Sequence, residues 1–243
     1  MSAKDKPGET PPLSRRRLGA GAAAALASCL CFLVPASTAH AGTLDVRIGY
    51  RAGLDAACAV VRGYRIEAAW RNELEARLPA VQVSWSSEGR PVLERMFELS
   101  GRRLHGRRDV RLTLCDLPSS SLLGATVNMR HALRSFTPDP VPLRYKVAVA
   151  NHELLHRLLA GVDLSASALL AAHADEPERV RAHLHLFALM KAAMLDLGRE
   201  DALAEMQRID ARLPEPAYRR AWQLVNSSPA RHLAYVAELR AAR

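Results

Sequence analysis

Residues 147–161 read Val-Ala-Val-Ala-Asn-His-Glu-Leu-Leu-His-Arg-Leu-Leu-Ala-Gly, and the pentad His152-Glu153-Leu154-Leu155-His156 lies at their centre. The apolar flanks Val147 to Ala150 and Leu158 to Ala160 predict a mostly buried helix, with Gly161 placed to end it. A helix turns about 100° per residue, so His152 and His156 project from one face a single turn apart. Two neutral imidazoles so placed can grip one Zn²⁺, and Glu153 beside them can take a proton from water that the ion acidifies. The bland alternative is a core or surface helix whose histidines are satisfied by solvent or by hydrogen bonds. Against it, two imidazoles and a carboxylate are costly to bury without partners.

At these residues the chain resembles the zincin metallopeptidases, whose signature is HExxH on an active-site helix. The strict resemblance covers residues 150–158. Arg157 stands where zincin helices usually carry an uncharged residue. The metzincin extension would need glycine at position 159 and histidine at position 162, where this chain has Leu159 and Val162. That subgroup is excluded. The resemblance implies a zinc-dependent hydrolase acting on peptides, with His152 and His156 as ligands and Glu153 as general base.

A catalytic zinc takes a third protein ligand and keeps one position open. In the gluzincin branch that ligand comes from a second helix downstream, which directs attention to residues 176–197, EPERVRAHLHLFALMKAAMLDL. On a helical wheel Leu186, Phe187, Met190, Ala193, Met194 and Leu197 form an apolar arc with His183 in its middle. His183 is therefore the expected third ligand. Glu176, two turns earlier on the same face, is the gluzincin-like alternative, and His173, His185 and Glu178 are further candidates. His185 falls on the side of Arg181 and Asp196, read as the solvated face. A core histidine bonded to a carbonyl is the bland reading of His183.

The N-terminus reads as an export signal. Ser14-Arg15-Arg16-Arg17-Leu18 precedes an alanine-rich apolar run to Val34, and Ala39-His40-Ala41 offers a small-residue cleavage site. The arginine pair is similar to a twin-arginine signal, with a Sec signal as the alternative. The run is too short and too alanine-rich for a membrane span. Leu26-Ala27-Ser28-Cys29 resembles a lipobox, which makes a lipid anchor at Cys29 the alternative to soluble export to the periplasm or exterior. The two segments are thus residues 1–41, the signal, and residues 42–243, one domain with a sizeable core.

The whole chain carries a formal charge of +9, and loss of the leader leaves about +6. The densest basic cluster, Arg102, Arg103, His105, Arg107 and Arg108, lacks interleaved aromatics and reads as a solvated loop, so no nucleic-acid partner is expected. Cys58 and Cys115 remain after the leader, without CxxC spacing, as either a disulfide or two thiols.

Periodicity predicts an α+β fold. Strands are expected at residues 44–50, 81–85, 110–115 and 125–133, forming a mixed β-sheet, with helices at 66–78, ended by Pro79, and at 91–100. After the HExxH helix every segment is helical: 165–172, 176–197, 199–213, 216–225 and 229–242. Residues 125–133 occupy the place of the zincin edge strand that pairs with extended substrate. His131, Tyr145 and Tyr218 are candidate donors to a developing oxyanion. Two other classes fit the same sequence: a zinc-binding cell-envelope protein without catalysis, and an interaction module built on the C-terminal helices.

Overall fold

Alternation of Val46 and Ile48 with Arg47 creates a strand with one buried face, β1 (Asp45–Tyr50). In the computed structural model, which describes residues 44–122 and 124–242, β1 pairs in parallel with β2 (Arg107–Thr113), and β2 with β3 (Ala125–Asn128). The order is β1-β2-β3, with Ile48 opposite Val110 and Leu112 opposite Val127. The three strands pair in parallel, where a mixed sheet was expected, and an isolated antiparallel bridge joins Ser120 to Thr126 on β3. Parallel neighbours need a crossover, and helices supply the first of them. Residues 1–41, read as an export signal, with the arginine pair and Cys29, lie outside the described residues.

That crossover is α1 (Ala52–Arg62) followed by a long helical passage: α2 (Ala68–Ser84), a π turn (Trp85–Gly89) and α3 (Arg90–Ser100). The strand expected at residues 81–85 is helix, and Pro79 does not end α2. Val81 and Trp85 are buried while Val83 is 67% exposed. Apolar residues at 81 and 85 fit a helical stripe as well as a strand, and with Leu74 they cover one helix face. Arg199 donates to the carbonyls of Glu88 (2.7 Å) and Ser87 (2.9 Å), satisfying acceptors at the π turn.

From the sheet the chain passes through a short 3₁₀ turn (Arg130–Ala132) into α4 (Leu143–Leu159), the HExxH helix. The remainder is α5 (Ala168–Ala171), α6 (Glu178–Asp196), α7 (Glu200–Asp210), α8 (Pro216–Val225) and α9 (Arg231–Ala241). The expected α+β class and helical C-terminal half are both present. α6 is the central post: the other helices enclose it so fully that Leu184, Leu186, Phe187, Ala188, Leu189 and Met190 are all inaccessible to solvent. Gly161 does not adopt the left-handed conformation expected of a helix terminator; α4 closes through Ala160 N–H to the His156 carbonyl, 3.0 Å.

Gly89 fixes how closely the π turn approaches α4. A Cβ there would run into the Trp85 ring and, at 2.5 Å, Val147 Cγ1, and the Gly89 carbonyl accepts from Asn151 Nδ2 at 3.0 Å. Asn151 directly precedes His152, so this contact sets the position of the motif helix. Gly89→Ala should therefore lower stability by about 1–3 kcal/mol, despite alanine's better helix propensity, because overpacking outweighs it. Denaturant melts check this, and a more stable variant would show that the two helices can part freely.

Candidate metal centre and its cavity

α4 and α6 cross with their histidines facing one another. His152 and His183 are buried and His156 is partly so, and one ring nitrogen from each lies within 4.8 Å of the others. The Nε2 atoms of His152 and His156 are 3.0 Å apart, and the His183 ring centroid is 5.1 and 4.9 Å from those of His152 and His156. Three nitrogens on one tetrahedral ion at 2.0–2.1 Å stand about 3.3 Å apart, so small ring rotations suffice to converge them. His152, His156 and His183 could hold a metal ion.

The hydrogen bonding of His183 supports this use. Its Nδ1 lies 2.6 Å from the Arg179 carbonyl, which can only accept, so Nδ1 carries the proton and Nε2 presents a bare lone pair. That Nε2 is buried with no partner among the described residues. A buried unsatisfied acceptor is uncommon and costs about 1–3 kcal/mol, a penalty that a bound cation removes. The backbone bond on the other nitrogen is the usual outer support of a metal-binding histidine. Burial holds all three imidazoles neutral, the form that binds metal: His152 well below its ordinary value, His156 below it, and His183 at about 4.

Glu153 lies on the adjoining face, where it and His152 form part of the wall of a cavity of about 670 Å³. Burial alone pushes its carboxyl up to about 8 in the metal-free protein. Phe187 and Tyr218 complete an aromatic side: the Tyr218 ring is 4.8 Å from His183 and 5.6 Å from His152, and Phe187 stacks on Trp222 at 4.2 Å. Arg179, on the first turn of α6, has its guanidinium 5.7 Å from the Tyr218 ring centroid and pairs with Glu215 at 3.2 Å.

The other candidates separate clearly. Glu176 is committed to Arg220, whose Nε is 2.8 Å away, and Glu178 is exposed. His173 is partly buried and outside the three-histidine group. His185, expected on the solvated face, is only 2% exposed, because α9 covers that side. Its Nε2 lies 2.8 Å from Glu238, which also accepts from Ser167 Oγ at 2.6 Å, a bracket between α6, α9 and the segment leading into α5. Of the three donors considered, Tyr145 gives its hydroxyl to Asp210 at 2.8 Å, and burial raises its pKa further. His131 is exposed, edge-on to Phe136. Tyr218 alone has its ring against the histidines.

Two cations that are not metal ligands, Arg179 and Lys146, also line the cavity. Arg179 precedes His183 by one turn, and Lys146 precedes Glu153 by two, so each shares a helical stripe with a site residue. Cys58 and Cys115 form a disulfide, Cα to Cα 6.0 Å, directly before the cavity-wall residues Asp116 to Ser119. The basic cluster splits: Arg102 donates to the Ala242 carbonyl, while Arg107 and Arg108 begin β2.

No protein-family model matches this chain, and no curated protein or solved structure shows significant similarity to it.

Proposed function

We propose that this chain is an exported zinc-dependent hydrolase, a metallopeptidase, in which His152, His156 and His183 hold Zn²⁺ and Glu153 is the general base. The observation that carries the reading is the bare, buried Nε2 of His183 facing the HExxH histidines, beside a carboxyl group that opens on a cavity. An all-histidine set suits zinc among the common divalent metals and leaves a fourth position for water or substrate, as a catalytic site requires. A closed structural site would supply a fourth protein ligand, and the three-histidine group contains none among the described residues.

When bound, zinc supplies a positive charge that draws Glu153 toward its carboxylate form, together with the Lewis acidity that acidifies water and polarises a carbonyl. Glu153 then takes the proton of the attacking water and returns it to the leaving amine. Tyr218, whose ring lies 4.8 Å from that of His183 with the Arg179 guanidinium beside it, would donate its hydroxyl proton toward the oxygen of the tetrahedral adduct. Phe187 and Trp222 keep the inner side of the histidine cluster apolar, which strengthens each of these interactions.

Export rests on the leader read in residues 1–41, and the Cys58–Cys115 disulfide suits an oxidising compartment. No described helix is long and apolar enough to cross a membrane.

Elemental analysis of the purified chain beside His152→Ala and His183→Ala tests the site. The expected result is about one zinc per chain, lost in both variants, since removing one of three ligands leaves too few to hold the ion. Zinc retained by His183→Ala would move the third ligand elsewhere. No zinc in the parent chain after reloading would end the metal reading.

A further inference from the structure

We propose that the cavity beside the metal centre is a carboxylate-binding pocket in which Lys146 receives the C-terminal carboxylate of a short peptide. The position of cleavage, close to a free C-terminus, rests on the hydrolase reading above.

Lys146 sits on α4 and lines the same cavity as Glu153, yet it is only 9% exposed. Its ammonium lies 5.8 Å from the centroid of the Tyr145 ring but has no hydrogen bond or ion pair to any described residue, although a buried charge is ordinarily paired. Three acids on the cavity wall are engaged elsewhere: Asp116 with Arg130, Glu215 with Arg179, and Asp210 with the Tyr145 hydroxyl and Trp222 Nε1. Of the other two, Asp139 is exposed to solvent, and Glu153 is held toward its neutral form by burial and belongs to the histidine site. Arg130, the cation whose charge acts on Lys146, also binds the Tyr64 hydroxyl at 2.8 Å. Arg212, also on the wall and without an ion pair among the described residues, is exposed to solvent, so Lys146 is the buried cation of the pocket without a counter-charge there, and the missing partner is an anion. Burial, with Arg130's charge second, lowers the ammonium to about 8, which leaves it charged at neutral pH.

The remaining wall indicates a short ligand. The outer edge of β3, where an extended substrate would add as a strand, is already occupied: Ser120 N–H donates to the Thr126 carbonyl at 3.0 Å, and Thr126 N–H donates to the Ser120 carbonyl at 2.8 Å. Asn128 N–H donates to Ser119 Oγ at 3.0 Å. This corrects the expectation that residues 125–133 offer a free edge; the strand is four residues long and sealed on that side over Thr126 to Asn128. A long peptide has no backbone ladder to join, whereas a cavity of about 670 Å³ is a small-ligand pocket in size. Lys146 precedes His152 by six residues, about 9 Å along the helix axis, a span of two to three extended residues. A carboxylate held at Lys146 thus places a bond two or three residues from the C-terminus against the histidines.

The test is equilibrium binding, by titration calorimetry, to the full chain carrying Glu153→Gln, so that bound peptide is not consumed. The probes are acetyl-Ala-Leu-Ala as the free acid, the same peptide as its C-terminal amide, and acetyl-Ala-Glu-Ala amide, which offers only a side-chain carboxylate. The free acid should bind at least about tenfold more tightly than its amide, a preference abolished by adding Lys146→Met. Equal affinity for acid and amide overturns the proposal, as does a preference that survives Lys146→Met. Acetyl-Ala-Glu-Ala amide binding as well as the free acid assigns the pocket to acidic side chains and overturns the C-terminal assignment. The acid–amide comparison on the Lys146 chain does not depend on how the Lys146→Met variant folds. If the unmutated chain fails to hydrolyse the free acid while the affinity pattern holds, the hydrolase reading falls and the carboxylate pocket stands. Hydrolysis with no acid preference does the reverse.

Discussion

Glu153→Gln is expected to keep one metal ion per chain and to lose about 10²–10⁴-fold in turnover on peptide substrate. The amide has the shape of the carboxyl group but cannot accept a proton from water at neutral pH. Glu153 makes no hydrogen bond to another described residue and is not one of the three clustered histidines, so neither fold nor metal site depends on its charge. Burial already holds the carboxyl at about 8 in the metal-free protein, so exchanging it for a neutral amide is close to neutral for stability. Metal analysis, a thermal melt and a peptide assay on the same preparation check the three parts separately. Unchanged turnover would remove Glu153 as the general base, no turnover in the parent chain would favour the zinc-binding protein without catalysis, and loss of metal would make Glu153 a ligand.

The site was more legible in the sequence than the sheet, and the reason is physical. His152, Glu153 and His156 are bound together by helical spacing, a local property that tertiary packing does not alter. His183 was identifiable because it sits among Leu186, Phe187 and Met190 on one side of α6, and all of them are buried. The same reasoning failed for His185. The face opposite an apolar arc ordinarily meets water, but α6 is surrounded, and α9 brings Glu238 to within 2.8 Å of the His185 ring. A helix enclosed by others has no solvated face, and hydrophobic periodicity alone gives no sign of which helices will be enclosed.

Residues 81–85 show the second limit. Val-Gln-Val-Ser-Trp alternates like a strand, yet Val81 and Trp85 are also one helical turn apart, and the long passage from Ala68 to Ser100 carries them inward as helix. Short apolar patterns satisfy both periods, and tertiary context decides between them. Losing that strand left three, all parallel, with the crossover from β2 to β3 made by residues 114–124, and this segment turns back to seal the β3 edge at Ser120. Neither the sealing nor the unpaired state of Lys146 can be seen in a linear pattern, because both depend on which residues fail to find partners in space.

Reducing the Cys58–Cys115 disulfide is expected to lower stability by about 4 kcal/mol, the chain-entropy cost of freeing a loop whose ends are 57 residues apart. That is a large part of the 5–15 kcal/mol typical of a domain. The bond ties α1 to the end of β2, where Asp55, one turn before Cys58, accepts from the Thr113 hydroxyl, from Leu114 N–H at 3.1 Å and from the Tyr50 hydroxyl at 2.8 Å. These hydrogen bonds remain after reduction and hold β2 in register with β1. The segment beyond Cys115 loses its anchor. It contains Asp116 to Ser119 of the cavity wall and Ser120, the residue that seals β3. Denaturant unfolding with and without reductant should therefore show a lower midpoint for the reduced chain, and amide exchange should rise first at residues 116–122. An unchanged midpoint would mean that the two thiols are not joined in the protein. A lower midpoint without faster exchange in that segment would mean that the β3 pairing and the Arg130–Asp116 ion pair hold the wall without help.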